Sequence, residues 1–148
     1  MLNPDFKAFV SALDARGVRY LVVGGYAVAF HGYPRYTKDL DIWVDATPDN
    51  ARAMVNALAD FGFASLGLVE ADFLVTDQIV QLGYPPNRID LLTSVPGPSF
   101  KEAWEGRVRE TIDGIEVNFI GLDHLRQNKL SSGRHQDLAD LENLGGAN

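Results

Sequence analysis

The 148-residue chain has no cysteine and no long apolar run. The lack of cysteine excludes disulfide bonds and thiol chemistry, which fits a reducing cytoplasm. No run approaches the ~18 apolar residues that a membrane helix needs, and the first residues lack a basic stretch followed by an apolar one. We therefore expect a soluble cytoplasmic protein that makes no use of a membrane.

Basic residues are also scarce, since 13 Lys and Arg stand against 20 Asp and Glu and leave a net charge of −7. This balance argues against broad electrostatic adhesion to DNA, RNA or anionic membranes, although a local basic patch could still bind a polynucleotide. Composition is even, with no repeat, low-complexity tract or linker. The pattern predicts a single domain over residues 1–148, large enough to bury about two-thirds of its unfolded surface.

Helical and extended patterns alternate along the chain. They predict an α/β (α+β) fold, with a mixed β-sheet of about five strands flanked by helices and with two helices at the C-terminal end. Thr47 and Ser99 are candidate helix caps, and Asp113-Gly114 suits a hairpin turn. The predicted helices cover 4–17, 26–31, 48–61, 100–104, 122–130 and 136–144. The candidate strands cover 19–23, 39–44, 78–82, 88–93, 108–112 and 115–119.

Two aspartates one residue apart are the most informative feature of the chain. On a strand, Asp39 and Asp41 point to the same side, while Leu40 and Ile42 point to the other. Two like charges held this close repel each other. The pair is tolerable at a solvated strand end, or where a hard cation such as Mg²⁺ neutralises it and keeps positions free for substrate phosphates.

Asp90 supplies a possible third carboxylate, because the apolar residues on either side of it would face a core and leave its own side chain on the opposite face. If its strand lies beside that of Asp39 and Asp41, the three carboxylates could hold two Mg²⁺ ions. Asp90 could then also take the proton from an attacking hydroxyl. The alternative is a solvated residue on an outward strand face.

A glycine pair, Gly24-Gly25, closes the first buried strand. Glycine accepts positive φ and has no Cβ, so the backbone can turn sharply and approach a phosphate. A tight strand-to-helix turn with no ligand explains the pair equally well when it is taken alone. The ordered combination of a strand, Gly-Gly, a short helix, Asp-x-Asp and an isolated Asp favours a phosphate site.

These motifs resemble a known family. The segment from Gly24 to Ile42, with Gly-Gly at its start and Asp39-Leu40-Asp41 near its end, is similar to the signature of the polymerase-β-like nucleotidyltransferase superfamily. Within it, the resemblance points to small bacterial nucleotidyltransferases related to the toxin component of AbiE-type toxin–antitoxin systems. The ending from Lys129 to Leu141 is similar to the C-terminal helical motif of that family.

The resemblance implies a nucleotidyltransferase fold and a role for each matching residue. Gly24 and Gly25 would hold the phosphates of a nucleoside triphosphate, and Asp39, Asp41 and Asp90 would be the metal-binding and catalytic carboxylates for Mg²⁺. Many relatives have Gly-Ser at the glycine motif, and their serine hydroxyl binds a phosphate. Gly25 does not offer that hydroxyl, so phosphate binding would depend more on backbone amides and basic side chains.

Further nucleotide-binding candidates lie on either side of the central motif. Arg35, Thr37 and Lys38 precede the Asp39 strand, where a cation could neutralise triphosphate charge; they could equally be surface residues. In the C-terminal motif the resemblance favours Lys129, with Arg134 also within possible reach of the phosphates.

Three other side chains of these motifs have predicted neighbours. Asp137 and Asp140 are expected to pair with Arg134 at helical spacing. Trp43 shares the face of Asp41 and is expected to be partly exposed near the cleft, where it would either stack on a base or pack under a helix.

The resulting expectation is an Mg²⁺-dependent enzyme that transfers a nucleoside monophosphate to an acceptor hydroxyl on RNA such as tRNA, on protein or on a small molecule. A cognate protein or a second subunit could complete the cleft, since the chain leaves little room for an acceptor domain. Two alternatives stay open: an aminoglycoside or lincosamide adenylyltransferase, and a nucleotide-binding module without turnover.

Overall fold

The computed structural model describes residues 3–33, 37, 39–84 and 87–144. The helices are α1 (Pro4–Ala15), α2 (Gly24–Phe30), α3 (Pro48–Phe61), α4 (Phe100–Glu105), α5 (Leu122–Ser132) and α6 (His135–Asn143). The strands are β1 (Tyr20–Val23), β2 (Leu40–Val44), β3 (Ile79–Leu82), β4 (Ile89–Leu92), β5 (Val108–Ile112) and β6 (Ile115–Phe119). Two short 3₁₀ turns, Ala64–Leu66 and Glu70–Phe73, follow α3.

The strands form one mixed sheet in the order β3-β4-β2-β1-β6-β5. The pairs β2–β4 and β1–β6 are parallel, and the pairs β1–β2, β3–β4 and β5–β6 are antiparallel. All six candidate segments contain a strand, which is one strand more than the five or so expected. The predicted hairpin between β5 and β6 is confirmed, with Asp113 and Gly114 both at positive φ in its turn.

The two faces of the sheet bury different helices because side chains alternate along each strand. Leu40, Ile42 and Val44 point into the larger core, which the apolar sides of α1 and α3 complete. On the opposite face, Trp43 belongs to a smaller cluster to which α2, α4 and α5 contribute. Asp41 therefore points to the thinner layer, where helices cover only part of the sheet.

Of the two candidate helix caps, one makes capping hydrogen bonds and the other does not. The Ser99 hydroxyl accepts a hydrogen bond from the Glu102 backbone N–H at 3.2 Å, and the Glu102 carboxylate accepts one from the Ser99 backbone N–H at 3.3 Å. Thr47 lies at the N-cap of α3 as predicted, but its side chain makes no capping hydrogen bond. Its hydroxyl oxygen is buried without a hydrogen-bond partner. No helix in the described part of the chain is long and apolar enough to span a membrane.

The two caps provide a matched pair of substitutions. Ser99→Ala removes a complete capping box, so we expect the free energy of unfolding to fall by about 1 kcal/mol. Thr47→Ala removes a hydroxyl that caps nothing, and we expect a change within about 0.5 kcal/mol. Urea unfolding followed by circular dichroism measures both values. An equal loss in the two variants would contradict the assignment of the caps.

Candidate active site

Gly24 is placed where no other residue would fit. It follows the last residue of β1 and has φ +66°, in the left-handed region that favours glycine. A Cβ at this position would overlap the Oδ2 atom of Asp41 on the neighbouring strand. Two independent constraints, the backbone angle and the lack of space, therefore require glycine beside the carboxylate.

Asp41 and Asp90 face the same side of the sheet. They are register partners on the parallel strands β2 and β4, and parallel partners project their side chains to the same face. Asp39 lies two residues before Asp41 and therefore on the same side of the chain. The backbone N–H of Leu40 donates to the carbonyl of Arg88 at 3.1 Å, so the ladder reaches the residue that follows Asp39. The sequence predicted that the three carboxylates meet on one surface, and their joint binding of a cation stays a prediction.

The environment of Asp41 disfavours its charge. Burial raises the pKa of the Asp41 carboxyl to about 6, and the negative charges of Asp90 and Asp39 act in the same direction. The positive charges of Lys129 and Arg88 oppose this rise. A bound cation would stabilise the charged form of such a carboxylate, because it offsets the neighbouring negative charges.

Arg88 is the cation in direct contact with the carboxylates. Its Nε and Nη2 atoms donate to the two oxygens of Asp90, each at 3.0 Å. The same Nη2 atom lies 3.5 Å from an oxygen of Asp39. The paired hydrogen bonds raise the pKa of the guanidinium further above its usual value. Arg88 therefore bridges two of the three carboxylates.

The donor set suits a hard divalent cation. The Oδ1 atom of Asp39 is buried and accepts no hydrogen bond, which is unusual for a carboxylate oxygen. Together with Asp41 it offers oxygen ligands of the kind that Mg²⁺ prefers. Within the described residues, no group of three histidine or acidic side chains is gathered as a ready metal site. Asp39 and Asp41 fit a cation as a pair, while Asp90 is held by Arg88.

A cavity of about 470 Å³ opens over this face of the sheet. Its floor includes Asp41 and Asp90, with Gly24 at one end. The wall on the far side from β1 contains Asp77 and Ser94, whose side chains are joined by a hydrogen bond of 2.6 Å. The size is that of a small-molecule site.

The other wall comes from the C-terminal helices and contains a buried ionic cluster. The Nζ of Lys129 lies 3.0 Å from an oxygen of Asp137 and 3.1 Å from one of Asp140, and all three side chains are at most 5% exposed. Burial would raise the pKa of Asp137. Hydrogen bonds from Arg134, Ser132 and Lys129 outweigh burial and lower it to about 2.

Arg134 connects this cluster to the cavity. Its Nε donates to Asp137 at 2.6 Å, while its side chain is 79% exposed and lines the cavity. The wall therefore has a buried cation, Lys129, and an accessible one, Arg134. The predicted pair of Arg134 with Asp137 is present. Asp140 differs from the prediction, because it pairs with Lys129 and accepts a hydrogen bond from Gln136.

A family model described as a nucleotidyltransferase of unknown function, DUF6036, matches residues 5–145. The chain belongs to this family. The predicted membership of the nucleotidyltransferases is thereby confirmed. A search among curated proteins found no match to this chain.

Solved structures share the DUF6036 chain's fold at low sequence identity. A protein from Thermotoga maritima, described as a nucleotidyltransferase, has a TM-score of 0.65 at 14% identity over 100% of this chain and 97% of its own. An antigenic nucleotidyltransferase-like protein from Paracoccidioides brasiliensis scores 0.57 at 16% identity, over 95% of this chain and 74% of its own. The lincomycin-bound lincosamide adenylyltransferase LnuA scores 0.55 at 14% identity, over 100% and 99%. These likenesses confirm the predicted nucleotidyltransferase fold.

Several predicted site residues of this DUF6036 member lie away from the cavity floor or outside the described residues. Arg35 and Lys38 are outside the part of the chain that the structure describes. The hydroxyl of Thr37 donates to the carbonyl of Asp39 at 3.4 Å. Gly25 is buried in the first turn of α2.

The expected partial exposure of Trp43 is wrong. Its side chain does share the face of Asp41, but it is only 2% exposed and packs edge-on against Phe100, with ring centroids 5.2 Å apart. The α4 helix covers this end of the sheet face, so Trp43 is a core residue rather than a base-stacking platform. This is the second of the two interpretations that the sequence left open.

Sequence reasoning assigned no role to Arg88, although it noted the segment that contains it. The available signal was the same alternation that linked Asp39 to Asp41, because Arg88 and Asp90 are also two residues apart on a strand. Asp77, at φ +60° in the cavity wall, had no comparable signal. Its position depends on the hydrogen bond to Ser94 across the sheet edge.

The raised pKa of Asp41 predicts that the free energy of unfolding of the metal-free protein depends on pH. The folded state keeps this proton up to about pH 6, whereas the unfolded chain releases it near 3.8. Stability therefore falls as the pH rises between these values. Asp41→Asn removes the charge, so we expect it to stabilise the protein by about 2–3 kcal/mol above pH 6 and by little below pH 4.

Urea unfolding in EDTA between pH 4 and 8 measures this difference. Asp123→Asn is the matched control, because the Asp123 side chain is 94% exposed. It should show no comparable gain at any pH in this range. An Asp41→Asn variant that is less stable than the parent protein at pH 7.5 would contradict the repulsion at this site.

Proposed function

We propose that the protein transfers a nucleoside monophosphate from a nucleoside triphosphate to an acceptor hydroxyl, with release of pyrophosphate. The observation that carries this proposal is the pairing of Asp41 with Asp90 on adjacent parallel strands, at the floor of a cavity and beside Gly24. Membership of a nucleotidyltransferase family supports the reaction class.

Asp90 would act on the acceptor. The acceptor oxygen attacks the α-phosphorus, its proton passes to a carboxylate oxygen of Asp90, and the bond from the α-phosphorus to the oxygen bridging to the β-phosphate breaks. Pyrophosphate leaves with the electron pair of that bond. Positioning and charge neutralisation supply most of the rate in reactions of this kind.

Asp39 and Asp41 would hold the divalent cation, for which Mg²⁺ is the natural choice because the ligands are carboxylate oxygens. The cation neutralises phosphate charge when it is bound. The two residues contribute differently. Asp39 has a buried oxygen without a hydrogen-bond partner, and Asp41 is a carboxylate whose charge is disfavoured by burial and by its acidic neighbours.

Among the residues that the structure describes, Arg134 is the side chain best placed to contact the phosphates. It is exposed to the cavity, and Asp137 orients its guanidinium by accepting from Nε. Lys129 reaches the same wall, but its ammonium group already lies between two carboxylates. We propose that Arg134 binds the phosphates directly and that Lys129 supports it through Asp137. The direct phosphate contact that the resemblance implies for Lys129 is the alternative.

The acceptor could be RNA, protein or a small molecule. The AbiE-type motifs favour RNA or protein in a toxin–antitoxin setting, where a cognate protein or a second copy completes the cleft. The likeness to LnuA and the acidic Asp77 in the cavity wall favour a cationic antibiotic as a second candidate. Incubation of tRNA, cellular protein, lincosamides and aminoglycosides with each nucleoside triphosphate, followed by mass spectrometry, identifies the acceptor. Nucleotide binding without any product would favour the non-catalytic module.

Asp41→Asn provides the direct test of the proposed chemistry. We expect it to abolish Mg²⁺-dependent transfer from α-labelled nucleoside triphosphate, by at least about 10³-fold, because it removes a cation ligand. Asp123→Asn is again the control and should retain parent activity. Full transfer by Asp41→Asn would remove Asp41 from the mechanism.

A second pair of variants distinguishes the roles of Lys129 and Arg134. Arg134→Gln should raise the KM for the nucleotide about tenfold, through loss of a charged hydrogen bond to phosphate, with a stability change within about 1 kcal/mol. Lys129→Met should lower the free energy of unfolding by about 3 kcal/mol, because it leaves buried carboxylates short of a counter-ion. Steady-state kinetics and urea unfolding measure the two effects. A stable Lys129→Met variant with a raised KM would instead place Lys129 on the nucleotide.

A further inference from the structure

The ion pair between Arg88 and Asp90 conflicts with the proposed use of Asp90. Both Asp90 oxygens accept hydrogen bonds from the guanidinium at 3.0 Å, in the side-by-side geometry that suits arginine and carboxylate. A carboxylate held in this way has fewer lone pairs available for a cation or for a proton. The side chain of Asp90 is only 12% exposed, so water does little to weaken the pair.

Arg88 also acts on Asp39. Its Nη2 atom lies 3.5 Å from Asp39 Oδ2, while the other oxygen of Asp39 has no hydrogen-bond partner. The guanidinium thus provides a positive charge between two acidic residues at the place where a divalent cation would be attracted.

The Arg88 side chain has space on its other side. It lines a second cavity of about 500 Å³, together with Gln81 and the highly exposed Tyr84. The amide of Gln81 offers a hydrogen-bond acceptor, and an aromatic ring attracts a guanidinium. Because Arg88 is itself 31% exposed, it can leave Asp90 without unpacking the core.

We propose that Arg88 is an internal counter-ion that competes with the divalent cation for the carboxylate of Asp39 and holds Asp90 while the cation is absent. Cation binding and release of Asp90 from Arg88 are then coupled, so Asp90 becomes available to the acceptor only when the site is loaded. Arg88 is a positioning residue in this scheme. The inference depends on the proposed function, because it takes Asp39 and Asp41 as the cation ligands.

The test uses Mn²⁺ as the probe and measures its dissociation constant by electron paramagnetic resonance of the free ion. Arg88→Gln should bind Mn²⁺ at least about tenfold more tightly than the parent protein, because the competing hydrogen bonds are gone. Arg88→Lys keeps the charge but cannot bind both oxygens of Asp90, so it should tighten binding by a smaller factor. Arg109→Gln is the matched control, since Arg109 lies on β5 and pairs with Asp14 of α1 and Glu116 of β6, away from the cavity.

The outcomes separate this inference from the proposed function. Equal or weaker Mn²⁺ binding by Arg88→Gln overturns the competition while leaving the cation site in place. Arg88→Lys equal to the parent protein, beside a tighter Arg88→Gln, reduces the effect to general charge repulsion and also overturns it. Absence of Mn²⁺ binding in the parent protein and in every variant overturns both proposals. Circular dichroism confirms that each variant is folded.

Discussion

The site is organised around electrostatic repulsion between Asp41 and Asp90, which the sheet holds side by side on neighbouring parallel strands. Like charges at this separation are unfavourable unless something positive lies close to them. Arg88 provides one positive charge at the strand ends, and Lys129 provides another from the C-terminal helices. Burial and the remaining negative charge together raise the pKa of Asp41. A bound divalent cation would offset both effects.

The scaffold tolerates this repulsion because the opposite face of the same strands is strongly apolar. Leu40 and Ile42 are fully buried in the larger core, and they alternate with Asp39 and Asp41 along the chain. A one-residue slip in register would exchange the two sets, so burial of the apolar side fixes the carboxylates on the other. The stability of the core and the position of the charges thus have a common cause.

Two kinds of positive charge lie near the carboxylates, and the extent of their burial indicates their roles. Lys129 lies among carboxylates with almost no exposure, which fixes α6 against α5. Arg134 and Arg88 each bind a carboxylate but remain partly accessible, so they can respond to a ligand. A buried, fully paired cation is a structural element, whereas an accessible cation at a cavity wall can exchange partners.

Local features could be predicted from the sequence: the alternation that placed Asp39 and Asp41 together, the order of helices and strands, and the turn at Asp113-Gly114. These follow from short-range periodicity and backbone preferences, which act within a few residues of chain. Other features depend on the tertiary structure. They are the full burial of Trp43, the ion pair of Asp140 with Lys129, and the ion pairs of Arg88 with the carboxylates. Each depends on which distant element covers a given face, and no local pattern encodes that choice.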